Sequence, residues 1–421
     1  MSDAGNEIPA DFPASDTPPA VAIRRLAVAR FASVAGSLAA STALIDLIYR
    51  RTDGSTAHLT MTTLCTMGVA GAFAPLGGAV ADRWSRKRAM IVSDLTGAAL
   101  FLAMALARPV WALLALALLG AIASTPFRAA STAAVPSLVR DESQLARANG
   151  RVALGSNLGI TLGPAIGGLL VEVIDARWVF VLNAVSYLAS AAIVRTIHGR
   201  FGGVSARRTA AGIGSDPESR GALAGFTAIR RDRIMFAVTV AWMILLVGMG
   251  VGIVADRPIA ARFGADGIGF GMMLALYGVG AVAGSWLASR LTAATEPGAL
   301  AGGLAIAGGA GIGIGLAGNF AVVLACNVAW GIGDATTIVS RQGIVQRRTP
   351  DSLRGRVAAA NDSAAHGALI VGFLAAGPVV GNLGAQGAYA VGGSAALAAA
   401  ALCTVVMTAN RTVTDAPSTK M

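Results

Sequence analysis

Gly77-Gly78-Ala79-Val80-Ala81-Asp82-Arg83-Trp84-Ser85-Arg86-Lys87-Arg88 is where the chain changes chemistry abruptly. A long apolar run precedes it and another follows. Small apolar residues give way to four cations within six positions. Such a break marks a membrane surface, and short loops rich in Lys and Arg stay on the cytoplasmic side.

Working outward, the whole chain fits that reading. Of 421 residues, 55% are hydrophobic and only 13% are charged, about half the charged share of a soluble domain. The chain divides into apolar runs of roughly 20 residues, the length that crosses a bilayer. The net charge of +11 does not indicate nucleic acid, because the cations cluster in alternate short loops and no aromatic-interleaved basic patch exists. Cys65, Cys326 and Cys403 all lie in apolar runs and suggest neither a disulfide framework nor a metal site. The three histidines have no ligand spacing. Residues 1–20 are acidic and Pro-rich, with no apolar signal core, and read as a disordered cytoplasmic tail.

The expected spans are 26–49, 57–80, 89–107, 110–130, 148–171 and 178–197, then 234–255, 267–288, 298–317, 321–339, 356–380 and 386–408. Arg24, Arg25 and Arg30 flank the first and place the N-terminus inside. A cytoplasmic elbow is expected at 135–142 and a polar, basic linker at 201–232. The domains are therefore a first bundle over 21–200, the linker, a second bundle over 233–410 and a tail over 411–421. The halves look like copies. Pro136 recurs as Pro350 and Gly163-Pro164 as Gly377-Pro378, the same distance along the chain each time. The expected fold is all-α, with twelve transmembrane helices in two six-helix bundles, and the expected location is the cell membrane with both termini cytoplasmic.

The opening loop, Gly-x-x-x-Asp-Arg-x-x-Arg-Lys-Arg, resembles the loop between helices 2 and 3 of the major facilitator superfamily, with Ser85 in place of a usual glycine. The resemblance extends over nearly the whole chain and implies a transporter whose two halves alternate access to a central site. It also implies that Gly78, Asp82, Arg83, Arg86, Lys87 and Arg88 form a cytoplasmic latch. Gly155, Gly159, Gly163 and Gly167 recur every four residues on one helix face, which lets a neighbouring backbone approach closely. With Pro164 and Gly168 they make a Gly-Pro-x-x-Gly-Gly string similar to the motif that exporters of this superfamily carry on helix five. In family terms it points to antiport. Val135-Pro136-Ser137-Leu138-Val139, Ala148-Asn149-Gly150 and Phe180-Val181-Leu182-Asn183-Ala184 resemble the branch of enterobactin exporters and macrolide efflux proteins, which implies proton-driven efflux.

A charge at mid-bilayer costs about 2.5–3.5 kcal/mol on the lenient scale, so Asp334, Asp94, Arg128 and Asp46 are candidates for coupling or structure. Asp46, near the outer end of its span, is expected to be solvated. Asp94 and Arg128 are expected to pair with each other or with the Asp82 loop, and Asp334 to stand alone. Asn157, Trp242, Met243, Asn327 and Trp330 are candidate cavity groups. The glycine string 308–315 lacks the strand and Lys-Ser/Thr of a phosphate loop, and no nucleotide-binding domain is present. The expected function is a monomeric, cofactor-free exporter of an amphiphilic small molecule, powered by a proton gradient. Partners are the cargo, protons and lipid. A metabolite importer and a non-transporting scaffold or sensor are the rivals. No nucleophile–base or metal constellation supports an enzyme.

Overall fold

The structure is a computed structural model that describes residues 17–68, 73, 77, 79–80, 83–139, 144–197 and 224–414. Helix α1, Pro19–Arg51, opens on a proline whose missing N–H costs nothing at a helix start. Helix α2, Thr56–Thr63, follows and passes into a π-helical turn at Leu64–Gly68. The cause is local. The hydroxyls of Thr62, Thr63 and Thr66 bond back to the carbonyls of His58, Leu59 and Thr62, which competes with the regular ladder. The straight helix expected over 57–80 is therefore interrupted in its first half.

Helices α3, Arg86–Leu106, and α4, Val110–Leu138, come next. Ser85 caps α3 by accepting the Arg88 N–H. The elbow expected from residue 135 does not form there, because α4 continues to Leu138. Ala134, Val135 and Leu138 are buried in the first bundle's core, and that packing holds the last turn despite Pro136. Helices α5, Leu145–Val173, and α6, Ala176–Arg195, complete the first half. The expected linker ends in a short helix, α7, Ala224–Arg231, rather than in open chain. Its Ile229 is buried and its Gly225 lies against the Arg356 carbonyl.

The second half holds α8, Arg233–Arg262; α9, Asp266–Ala288; α10, Glu296–Gly315; and α11, Phe320–Arg348. Asp232 caps α8 through the N–H groups of Ile234 and Met235, and Asn319 caps α11 through Val322. Helix α12, Arg354–Thr414, contains the last two spans. As one straight rod its 61 residues would reach about 90 Å, against about 30 Å of hydrocarbon. It breaks at Gly384, where φ is 70° and ψ is 173°, a conformation open to glycine. Ten of the described helices are long and apolar enough to cross a membrane, with α12 counted once.

The two halves use the same pairing: α1 lies along α5, and α8 along the first part of α12. Between halves, α5 meets α9, and α2 meets α12. These crossings lie toward the end of the molecule opposite Pro19. On α5 and α9 they run from Glu172–Gly267 through Gly168–Gly271 to Thr161–Gly278. From α2 and the π-helical turn to α12 they join Thr60 to Gly377 and Gly68 to Phe373. Nearer the termini, Leu154 and Leu158 of α5 and Val282 and Trp286 of α9 are exposed.

Candidate functional site

A cavity of about 330 Å³ lies inside the first half. One face of α1 lines it, with Arg30, Ser33, Ser37, Ser41 and Leu44 at helical spacing. Arg30 is not the surface flank expected from sequence. Its Nε donates to Ser156 Oγ at 2.7 Å, and its Nη1 donates to Ser131 Oγ at 2.5 Å and to Thr132 Oγ1 at 3.2 Å. Arg128 of α4 opens onto the same cavity. No carboxylate among the described residues pairs with either guanidinium, so the expected Asp94–Arg128 pair is absent. Tyr187 of α6 shares a hydrogen bond of 2.9 Å with Ser37 in the lining. The far end is apolar, with Leu44, Met67, Phe101, Met104 and Ala117.

The glycine stripe of α5 packs on α1, and Ser156 and Ile160 beside it line the space. A Cβ at Gly155 would lie 2.3 Å from the Ala27 carbonyl oxygen, and one at Gly167 would lie 2.4 Å from that of Ala39. Gly159 and Gly163 meet α1 at Val34 and Ala35 in the same way. Gly168 faces the other half, where a Cβ would lie 2.5 Å from the Cα of Gly271, and the Pro164 carbonyl lies beside it. The string therefore serves two interfaces, one within a bundle and one between bundles.

The closed end carries an ionic network between halves. Asp46 is 1% exposed and Arg257 2% exposed. Arg257 Nε donates to Asp46 Oδ1 at 2.6 Å, and Arg50 pairs with Asp46 at 2.7 Å. Arg50 also pairs with Glu172, whose Oε1 accepts the Gly267 N–H at 2.9 Å. Asp266 reaches Arg257 Nη2 at 3.4 Å, and the Tyr49 ring centroid lies 4.5 Å from the guanidinium. The expectation of a solvated Asp46 is thus wrong. A long-range cation reaches it from α8 and seals it from water.

Other carboxylates are buried with no cation partner among the described residues. Asp334 is not isolated, as it accepts from Tyr277 Oη of α9 at 2.7 Å. Asp256, outside the expected seventh span, accepts from Tyr389 Oη. Asp94 is fully buried, neighbours Ser190, and lies within electrostatic reach of Tyr187. Of the other candidates, Trp242 stacks with Arg341 at 4.9 Å and Met243 packs beside it. Trp330 meets Tyr389 edge-on at 5.9 Å, and Asn327 bonds its own helix at the Val323 carbonyl. Those four serve the second bundle's interior, and Asn157 is exposed on α5. None of the five lines the cavity. At the opening loop, Gly78 and Asp82 lie outside the described residues. Lys87 Nζ donates to the carbonyls of Arg195 and Ile197 at the end of α6, where a cation suits the helix terminus. Arg83 and Arg88 are exposed, Arg86 is half-buried, and no described cation of the loop bonds to the second half.

The profile described as Major Facilitator Superfamily matches residues 26–257. The chain belongs to this superfamily. Its fold is similar to that of a POT family transporter solved with a thioalcohol-conjugated peptide, at 13% identity and TM-score 0.74, over 93% of this chain and 96% of that one. The nucleoside transporter NupG is similar at 13% identity and TM-score 0.73, over 91% and 99%. A bacterial homolog of the human lysosomal transporter Spinster, inward-facing and unoccupied, is similar at 15% identity and TM-score 0.64, over 97% and 100%. At these identities the likeness is one of fold. No curated protein matches. The chain is accordingly a multi-pass membrane protein of a superfamily of small-molecule transporters.

Proposed function

We propose that the protein is a secondary active exporter of an amphiphilic small molecule, driven by proton antiport through alternating access. The observation that carries this reading is the position of the Gly-Pro-x-x-Gly-Gly string. Its glycines let α5 lie against α1 beside the cavity and against α9 between the halves. A glycine-on-glycine crossing at Gly168 and Gly271 lets two rigid halves rock about a narrow contact. With both termini cytoplasmic, the Asp46–Arg257 end is the outer rim. The halves then meet outside, and the cavity is loaded from the cytoplasm. In the opposite state, Asp82 and its neighbouring cations close the inner rim. The proposed setting is a monomer in the cell membrane, with no cofactor beyond the proton gradient.

Asp334 is the proposed coupling acid. It is buried, held by a neutral hydroxyl and pairs with no cation among the described residues. A proton bound there removes the charge penalty on moving through a dry state. Each proton carried inward gains about 2.3 kcal/mol per 100 mV. Proteoliposomes with an imposed pH gradient test both parts. Wild-type protein should move cargo against its gradient only when protons flow the other way. Asp334→Asn should lose that uphill transport and keep downhill exchange. Cargo moving with the proton flux would make the protein an importer, and uphill transport by Asp334→Asn would remove this residue from coupling.

A further inference from the structure

The cavity's charge is unbalanced, and its polarity is divided end to end. Arg30 and Arg128 stand at the end nearer Pro19, and the described lining contains no carboxylate. The protein partners of Arg30 are three neutral hydroxyls. Hydroxyls orient a guanidinium but do not neutralise it, and with Arg30 half-buried and Arg128 exposed both charges are presented to whatever fills the cavity. Asp94, a nearby carboxylate, faces Ser190, one turn beyond Tyr187 on the same face of α6, and does not line the cavity. Arg30 to Leu44 spans about 21 Å of helix, and beyond the serines the lining becomes Leu44, Phe101, Met104 and Ala117. The volume of about 330 Å³ is that of a small-molecule site.

We infer that this cavity binds an amphiphilic organic anion, its oxyanion head between Arg30 and Arg128 and its apolar tail toward Leu44 and Met104. The head is a carboxylate, sulfonate or phosphate ester, groups whose oxygens match a guanidinium fork. Ser33 and Ser37 supply hydroxyls on the path between the two ends. A cationic amphiphile meets two like charges and is rejected. The π-helical turn at Leu64–Gly68 places Thr66 and Met67 in the wall, so the irregular backbone lies where it borders a cavity rather than lipid. This inference rests on the transporter reading only in calling the ligand a cargo.

Binding to the purified full chain in a neutral detergent, with no gradient, provides the test. Decanoate, decanol and decyltrimethylammonium share a tail and differ in head charge. Decanoate should bind more tightly than the other two, and more weakly as salt rises. Arg30→Gln and Arg128→Gln should each weaken decanoate about tenfold, the loss of one charge-assisted contact, while Arg30→Lys and Arg128→Lys retain part of the preference. Lysophosphatidate in parallel identifies the source of the anion: tighter binding than decanoate indicates a membrane lipid, and weaker binding a soluble metabolite. The inference is overturned if decyltrimethylammonium binds wild-type protein as tightly as decanoate, or if the folded double Gln variant keeps full decanoate affinity. The wild-type comparison needs no variant to fold. Decanoate that binds but is never pumped against a gradient would sink the export reading and leave the site standing.

Discussion

Arg257 is the residue through which one half of the molecule grips the other. Its head group is buried against Asp46 and roofed by the Tyr49 ring. Removing one member of a buried pair strands the other, at a general cost of about 3–5 kcal/mol. Arg50 still reaches Asp46 from solvent, which lowers that cost here. Arg257→Met should therefore weaken the closed rim more than it unfolds the protein. The check is a cysteine at Thr60, which faces Gly377 across the halves, in a protein lacking Cys65, Cys326 and Cys403. An external thiol reagent should label it several-fold faster with Arg257→Met than without. Unchanged labelling would show that the network does not hold the rim shut. This pair also shows why residue-scale reading of the sequence fell short. Asp46 and Arg257 are 211 positions apart, and each alone looks like a loop charge at the end of an apolar run. Arg30 was misjudged for a related reason: a cation near a span's start orients the chain in most proteins, and only the hydroxyls of α4 and α5 show that this one points inward.

Elements were easier to read, because hydropathy and capping are local. Helix starts at Ser85, Asp232 and Asn319 lie where a short polar side chain precedes an apolar run, directly at Asn319 and after one or more cations at Asp232 and Ser85. The end of α4 was missed because Pro136 is a local signal and the burial of Val135 is not. The glycine face of α5 was legible as a period of four, but its partner, α1, was not. That partner makes a graded prediction. Gly167→Ala should disrupt the α1 contact, since its Cβ would meet the Ala39 backbone, whereas Gly150 has nothing within 4 Å. Gly150→Ala should be neutral or stabilise by about 0.5–1 kcal/mol. The Gly167→Ala midpoint should fall below the parent and the Gly150→Ala midpoint at or above it, and equal midpoints would refute the close crossing. The joint of α7 and α8 carries a pH prediction. Burial pushes the Asp232 carboxyl up, but the Met235 N–H, the Arg348 guanidinium at 2.8 Å and the Ile234 N–H outweigh it and hold it below its ordinary 3.8. A group lowered on folding stabilises above its unfolded value and stops doing so as pH falls through its folded one. The midpoint advantage of wild type over Asp232→Asn should be constant above that ordinary value and shrink below it. An advantage that grows with acid would reverse the assignment.

At the scale of the whole molecule, the two-bundle plan was the most legible feature, because repetition of prolines and glycines survives where individual contacts cannot be read. The sidedness is testable with single cysteines. Asp53, in the turn between α1 and α2, and Ser289, just past α9, are exposed at opposite ends. In intact cells, a membrane-impermeant reagent should label Asp53→Cys at once and Ser289→Cys only after lysis. The reverse pattern would invert the proposed orientation and with it the direction in which the cavity is loaded.

The connections at the Asp46 end are all short: 52–55, 107–109, 174–175, 263–265, 316–319 and the single residue Gly384. Each is anchored by a helix on either side, so no free length of chain stands above the membrane there. To the world outside the cell, on the proposed orientation, the protein is almost featureless. An antibody finds no protruding loop to enclose, a protease finds no extended strand to draw into its cleft, and a bacteriophage finds no handle. The variable, accessible surface of this transporter belongs to the cell that makes it.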